Sequence, residues 1–366
     1  MTILTGILLL PILLYSFQVI TWYIQWVKTE AFSSDGDSTK EGISLIVPFK
    51  DEAQNLPEFI QSLTKQNYEH WELILVDDHS TDDGAKLAAS LLKETNIDFL
   101  IADAFGSGKK AALIHGAYHS QYSTIITTDA DCTFHENWLS TMTNYFYKSK
   151  SDLLIGPVSI KKANGYIQRF QQIDFAALQI TGGAAALNGK AIMCNGANLM
   201  CNREQYQIAQ LKPEIASGDD MFLLEWMKRQ KKKVSYLKSS SALVQTKALP
   251  SLIELLQQRA RWATKAKHFS DKQILFTGFI VALTNFLIAV FLIGGFWYPV
   301  FYQLFGITFF IKSICDYMLL KAGSHDFNFR ISLFELIYWQ IHYPIYVLTV
   351  LLTPLFHPIK WKSRSI

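Results

Sequence analysis

Hydrophobic positions follow two regimes along this chain. Between Glu41 and Ser149 they come as short β-branched runs separated by segments of helical period. Elsewhere they form long stretches without Asp, Glu, Lys or Arg, from Ile3 to Val27, Ile274 to Ile311 and Leu336 to Ile359. A helix needs about 20 apolar residues to cross the hydrocarbon core of a bilayer. The first and third stretches therefore each fit one span. The middle one fits two, joined by a turn at "GGFWYP". A soluble portion, residues 30–270, lies between.

Within that portion the alternation is regular. "ISLIVPF" predicts a buried strand and "NLPEFIQSLTKQ" a helix capped by Asn55. "ELILVDD" and "DDGAKLAASLLKET" repeat the unit, as do "IDFLIA" with "GKKAALIHGAYHS" and "STIITTDADC" with "ENWLSTMTNYFYKS". Continuous apolar strands alternating with helices imply βαβ units and a largely parallel sheet. Ligands of such sheets bind at the carboxyl ends of the strands. Here those ends read "VPFKDEAQN", "VDDHSTDD" and "TTDADC", so three of four strands deliver acids to one edge.

Charge orients the chain. "RARWATKAKHFSDK" carries five Lys and Arg just before the second apolar stretch, and "GGFWYP" carries none. By the positive-inside rule the soluble portion faces the cytosol and the turn near Trp297 faces outside. The basic tail "KWKSRSI" conflicts with this if the last stretch spans completely. Pro344 and Pro354 could instead break that stretch and return the tail. The first stretch lacks a basic leader and a small-residue cleavage site, which favours a retained anchor over a signal peptide. Trp22, Tyr23 and Trp26 suit an interfacial aromatic belt. "SSDGDST" at 33–39 predicts a flexible linker. The expected organisation is an anchor over 1–29, a cytosolic domain over 30–250, an amphipathic interfacial helix over 251–272 and two to three spans over 273–366.

Composition narrows the chemistry. A net charge of +3 over 366 residues, with mean hydropathy +0.14, gives no case for nucleic acid. Four cysteines without paired CxxC spacing indicate neither a zinc site nor a disulfide scaffold. "GSGKKAAL" has the spacing of neither a P-loop nor a dinucleotide fingerprint. Asp129 and Asp131, one residue apart at a strand end, would repel unless a cation lies between them. Such a pair suits a hard divalent ion whose shell phosphate oxygens complete. Asp77 and Asp78 lie on the same edge, placed to accept hydrogen bonds from a base or ribose, and Lys109 would add a cation near phosphates. "SGDDMFLLEW" opens a helix with Asp219 and Asp220, where acids also complement the dipole. In "QQRARW", Gln258 and Arg261 could meet a phosphate and Trp262 a sugar ring.

"VPFKDEAQNLPEFIQSL", "DDHSTD", "GKKAAL", "DAD", "GAN", "GDDMFLL" and "QRARW", in this order, resemble the membrane-bound family-2 glycosyltransferases over residues 43–262 and the flanking apolar segments. The resemblance implies an α/β GT-A-like fold with a mostly parallel sheet and membrane helices at both ends. It also implies a nucleoside-diphosphate sugar donor (a UDP-sugar first among them), Mg2+ or Mn2+, and inversion at the anomeric carbon. Pro48, Asp51, Glu52, Asp77, Asp78 and Lys109 correspond to the nucleotide site. Asp129 and Asp131 match the DxD motif, Asp131 being the firmer metal ligand. Asp220 matches the second acid of the "ED" motif, the proposed base. Gln258, Arg261 and Trp262 match QxxRW, which closes over the diphosphate and acceptor. The expected setting is a bacterial cytoplasmic membrane, with a lipid or glycan acceptor.

"GDD" replaces the "TED" of processive synthases, and "CNGANLMC" stands where they carry a Phe-Phe-x-Gly segment. Single transfer to a lipid or lipid-linked acceptor is therefore preferred to processive polysaccharide synthesis. A non-catalytic scaffold of the same fold is the third reading, and the intact acids argue against it.

Overall fold

A computed structural model describes residues 2–33, 39–162, 164–209, 215, 218–356, 360–361 and 364–365. Most of the expected linker, residues 34–38, lies outside the described residues, as do 357–359, 362–363 and 366 of the tail region. The chain forms two compact units, one of residues 30–161 and 193–248, the other of residues 1–29, 162–192 and 249–366. The sequence led us to expect an uninterrupted domain over 30–250; the segment 162–192 instead groups with the membrane helices.

The first unit begins with β1 (Ile43–Phe49), α2 (Leu56–Leu63), β2 (Trp71–Asp77), α3 (Gly84–Lys93) and β3 (Asp98–Asp103), following α1 (Thr2–Lys28) of the other unit. It continues with α4 (Lys109–His119), β4 (Thr124–Thr127), α5 (Trp138–Ser149), β5 (Leu153–Ile155) and β6 (Val158–Ile160). After α6 (Tyr166–Leu187) of the other unit come β7 (Leu199–Asn202), α7 (Arg203–Ile208), α8 (Asp219–Arg229), β8 (Val234–Tyr236) and β9 (Val244–Thr246). All eight elements expected between Glu41 and Ser149 form, their ends within a few residues of those expected.

The main sheet has the order β3-β2-β1-β4-β7-β5-β8. β1, β2, β3 and β4 are mutually parallel, and β7 runs antiparallel to both of its neighbours. β1 and β4 are buried along their whole length, as strands covered on both faces must be, and this is why they read as short runs without alternation or charge. α2 buries Leu56, Phe59, Ile60 and Leu63, spaced three, four and seven apart along one face. Asn55 does not cap it as expected; its side chain makes no capping bond, and Nδ2 donates to Glu52 Oε2 at 2.5 Å.

β1 pairs with β2 over Ile43–Phe49 but with β4 only over Ile43–Ile46. Beyond Ile46 the strand therefore has a ladder on one side only. Pro48 sits in that stretch, opposite Val76, where its missing N–H matters least. The chain leaves β1 for β2 on one side, while β4 flanks the other. This is the switch point at which open α/β sheets leave a crevice.

The second unit holds α1, α6, α9 (Leu252–Thr264), α10 (Lys272–Gly294), α11 (Pro299–Gly323) and α12 (Leu333–Phe356). Among the described residues, four helices are long and apolar enough to cross a membrane: Gly6–Lys28, Lys272–Gly294, Pro299–Gly323 and Leu333–Phe356. The turn between α10 and α11 falls at Gly295–Tyr298, as "GGFWYP" predicts. α12 is continuous through Pro344 and Pro354, so the last stretch is not a broken segment; membrane helices tolerate proline when neighbours satisfy the freed carbonyls. α11 runs past the end of its charge-free stretch to Gly323. It can do so because Lys312 Nζ donates to Asp316 Oδ2 at 2.6 Å and Gln340 Oε1 at 2.8 Å, and Tyr15 donates to Asp316 Oδ1 at 2.5 Å. Trp22 and Trp26 are buried rather than presented as a belt, and Trp26 Nε1 donates to Asp326 Oδ2 at 2.9 Å.

Candidate active site

The acids expected at the sheet edge lie there, and Asp51, Asp77 and Asp78 each accept a backbone N–H of the surrounding loops. After β1, Asp51 takes a positive φ of 51°. Its Oδ1 accepts from the Thr81 N–H at 2.6 Å and the Thr81 hydroxyl at 3.1 Å. The Thr81 N–H is the main reason the Asp51 carboxyl lies below its ordinary range, with Lys50 assisting. Lys50 Nζ itself donates to the carbonyls of Asp78 and His79, at 3.2 and 2.9 Å. The loops after β1 and β2 are thereby tied together.

At the end of β2, Asp77 Oδ1 accepts from the Ser80 N–H and hydroxyl, at 2.8 and 2.5 Å. Asp78 is 2% exposed, and its Oδ1 accepts from the Gly108 N–H at 2.7 Å. Part of what the sequence offered as nucleotide contact is therefore loop support. Gly108 has φ 99°, a backbone that favours glycine, and it delivers Lys109 as the first residue of α4.

Lys109 is where the edges converge. Its Nζ lies 2.5 Å from Asp129 Oδ1. Burial works to lower its pKa, but attraction to Asp129, Asp219 and Asp220 outweighs this and holds the ammonium above the ordinary lysine range. A Cβ built on Gly196 would stand 3.2 Å from Asp219 Oδ2 and 3.5 Å from Lys109 Nζ. Asp129 of the DxD pair and the acids opening α8 thus act on one cation.

Asp131, the second acid of the pair, accepts from the Thr246 hydroxyl at 2.8 Å through Oδ2. Burial first, then the charge of Asp129, pushes its carboxyl up, against the pull of Thr246. Thr246, on β9, carried no signal in the sequence. Among the described residues no three His, Cys, Asp or Glu side chains gather into a metal cage. A donor set of two repelling carboxylates fits a hard divalent ion that draws its other ligands from phosphate and water.

Asp220 differs from Asp219 in exposure. Asp219 is 5% exposed, whereas Asp220 is half-buried. Asp220 Oδ2 accepts from the Gly196 N–H at 3.2 Å and Oδ1 from the Met221 N–H at 2.7 Å. Gly196 belongs to the "GAN" segment, which the Thr127 and Thr128 hydroxyls fasten to the end of β4 at 2.9 and 2.8 Å. Asn198 of that segment is fully buried. It accepts from Trp138 Nε1 at 3.1 Å and donates to the carbonyls of Pro157 and Ala242, both at 2.9 Å. "GAN" is therefore the scaffold that sets Asp220 against the DxD turn.

Gly156 leaves room for this network. A Cβ there would stand 2.2 Å from Asn198 Nδ2. Gly156→Ala should lower stability by about 1–3 kcal/mol, the usual cost of overpacking, and should slow any reaction at Asp220. Urea unfolding of the detergent-solubilised protein checks it. An alanine variant of unchanged midpoint removes this account of "GAN".

Residues 44–209 match Glycosyl transferase family 2. This segment is a family-2 glycosyltransferase domain. Over 131 residues the chain is 29% identical to Glycosyltransferase AglE of Haloferax volcanii, covering 35% of this chain and 43% of that protein. It is 26% identical over 140 residues to poly-beta-1,6-N-acetyl-D-glucosamine synthase of Staphylococcus aureus, covering 38% and 34%. The chain spans less than half the length of these relatives. In fold it is similar to a mannosyltransferase of Pyrobaculum calidifontis, solved in complex with GDP-Man and Mn2+. The TM-score is 0.62, with 16% identity and 97% of each chain covered. The family-2 domain thus has the GT-A-like fold expected of it. Asp51, Glu52, Asp77, Asp78, Lys109, Asp129 and Asp131 fall within the matched residues. Asp220, Thr246 and the QxxRW residues follow its end.

Gln258, Arg261 and Trp262 lie on α9, in the unit of the membrane helices. Gln258 Oε1 accepts from Arg259 Nη1 at 2.6 Å, and the Arg259 guanidinium carbon lies 4.3 Å from the Trp262 ring centroid. Arg259 itself was not singled out in the sequence.

Proposed function

We propose that this protein is an inverting glycosyltransferase. It moves a sugar from a nucleoside-diphosphate sugar to a lipid or lipid-linked hydroxyl at the cytosolic face of a membrane. The observation that carries the reading is Lys109, one ammonium facing both Asp129 of the DxD pair and the Asp219–Asp220 pair. A site that sets Asp129 and the α8 acids around one cation suits an anionic donor and a proton acceptor together.

Asp129 and Asp131 are the residues that would hold a divalent ion; when bound, it neutralises charge gathering on the leaving diphosphate. Lys109, whose ammonium lies beside Asp129, would add a second positive charge for the diphosphate. The acceptor oxygen attacks the anomeric carbon from the face opposite the diphosphate. The carbon–oxygen bond to phosphate breaks, and the electron pair leaves with the nucleoside diphosphate. Asp220, half-buried and oriented by two backbone N–H groups, takes the acceptor's proton. Asp51, Asp77 and Asp78 keep the nucleotide loops in shape. The roles of Gln258, Arg261 and Trp262 toward diphosphate and acceptor rest on their motif alone.

A panel of nucleotide sugars offered to detergent-solubilised protein tests the reading. Release of nucleoside diphosphate from one donor, abolished by EDTA, is the expected result. The same donor should be consumed by inside-out vesicles and left intact by whole cells, because the acids face the cytosol. Turnover of no donor sinks the enzyme reading, and turnover by intact cells sinks the orientation.

A further inference from the structure

We propose that Asp174 and Arg259 form a positioning pair that sets the QxxRW helix for sugar transfer, an inference that rests on the function proposed above. Arg259 lies between the named residues of the motif and touches two of them. One edge of its guanidinium meets Asp174, with Nε and Nη2 donating to Oδ2 at 3.0 and 2.8 Å. Another edge gives Nη1 to Gln258 Oε1 at 2.6 Å. Its face lies against Trp262, 4.3 Å from the ring centroid. One planar group therefore fixes which way the Gln258 amide points and how the Trp262 ring lies.

The anchor is itself braced. Asp174 stands on α6 and is 4% exposed, against 6% for Arg259. The hydroxyls of Tyr343 and Tyr346 on α12 donate to it at 3.3 and 3.4 Å. A buried ion pair is weak evidence for stability, because desolvation offsets much of the attraction. It is nevertheless directional, and here three helices of the membrane unit converge on the residue that orients the motif. A pair that merely fastened α9 to α6 would need the contact with Asp174 but neither of the other two.

Arg259→Lys separates these roles. Lysine keeps a cation for Asp174 but offers no second edge to Gln258 and no planar face to Trp262. Measured on the full chain in detergent with the donor that wild type consumes, its kcat should fall about 10–100-fold, the scale of a small misplacement of a reacting group. Its melting temperature should stay near that of wild type, and any loss of nucleoside-diphosphate affinity should be smaller than the loss of kcat. In a cycle with Gln258→Ala, the two losses should fall short of multiplying, since the contact between the two residues is removed in each single variant. If the lysine variant does not fold, Tyr346→Phe, which removes one hydroxyl from Asp174 and keeps the ring, should lower kcat severalfold with donor KM unchanged. Wild-type kcat in the lysine variant, or in Tyr346→Phe where that is the variant measured, overturns the proposal. So do multiplying losses in the cycle. A wild-type protein that consumes no donor removes the function itself, and the role of the pair falls with it.

Discussion

An Asp131→Asn protein is expected to lose nearly all sugar transfer while remaining as stable as wild type in EDTA. The two effects part because the carboxylate does two jobs. Its Oδ2 accepts from Thr246 at 2.8 Å, and an asparagine oxygen accepts that bond equally well. Its charge, however, is pushed against Asp129 in a buried setting, an arrangement that is costly unless a cation joins the pair. Asparagine relieves the repulsion and removes one of the two carboxylates that would hold the cation. A bound divalent ion contributes several kcal/mol of charge stabilisation, and each 1.36 kcal/mol is tenfold in rate. Transfer should therefore fall by about 10²–10³-fold. Chelation should bring wild type to the same level, with Mg2+ or Mn2+ restoring wild type but not the variant. Transfer that survives EDTA, or an asparagine variant at wild-type rate, removes the ion from the reaction.

The second large effect concerns Asp220. Asp220→Asn should slow transfer by about 10²–10⁴-fold, the usual contribution of a general base, while nucleoside diphosphate should still bind, since Asp129, Asp131 and the loops after β1 and β2 are untouched. Its neighbour provides the control. Asp219 is 5% exposed, too enclosed to meet an acceptor hydroxyl directly, although it contributes to the field that holds Lys109 charged. Asp219→Asn should therefore weaken Lys109's hold on the site and lower stability, with a smaller loss of kcat. Asp220 also receives the Gly196 N–H at 3.2 Å, so part of any loss could reflect movement of "GAN". Equilibrium binding of nucleoside diphosphate and a melting curve separate the two causes. If Asp219→Asn abolishes transfer and Asp220→Asn retains it, the base is the neighbour.

The sequence was most informative where one local rule decides. Strands buried on both faces are rich in β-branched and apolar residues, so β1, β2 and β4 could be read from their short runs, together with the acids at or after their ends. Charge-free stretches gave the candidate spans for the same reason, since hydrocarbon admits few unpaired charges. Asp129 and Asp131 stood out because two acids one residue apart repel unless a cation joins them. Helix ends were read less well. Asn55 looked like a cap, yet it serves Glu52, because side-chain capping competes with every other partner nearby.

What only the tertiary structure decided is which charges meet. Lys109 stands 20 residues from Asp129 in the chain and 2.5 Å from it in space, and no local pattern encodes that encounter. Asp174 and Arg259 are separated by 85 residues. Each is unremarkable in its own helix, and each is admissible in a buried place only because the other is there. The same holds for Lys312 and Gln340 within the membrane helices, and for Thr246 beside Asp131. Hydrophobic periodicity is a property of one element and is written along it. A buried polar contact belongs to two elements, and it comes into being when the fold brings them together.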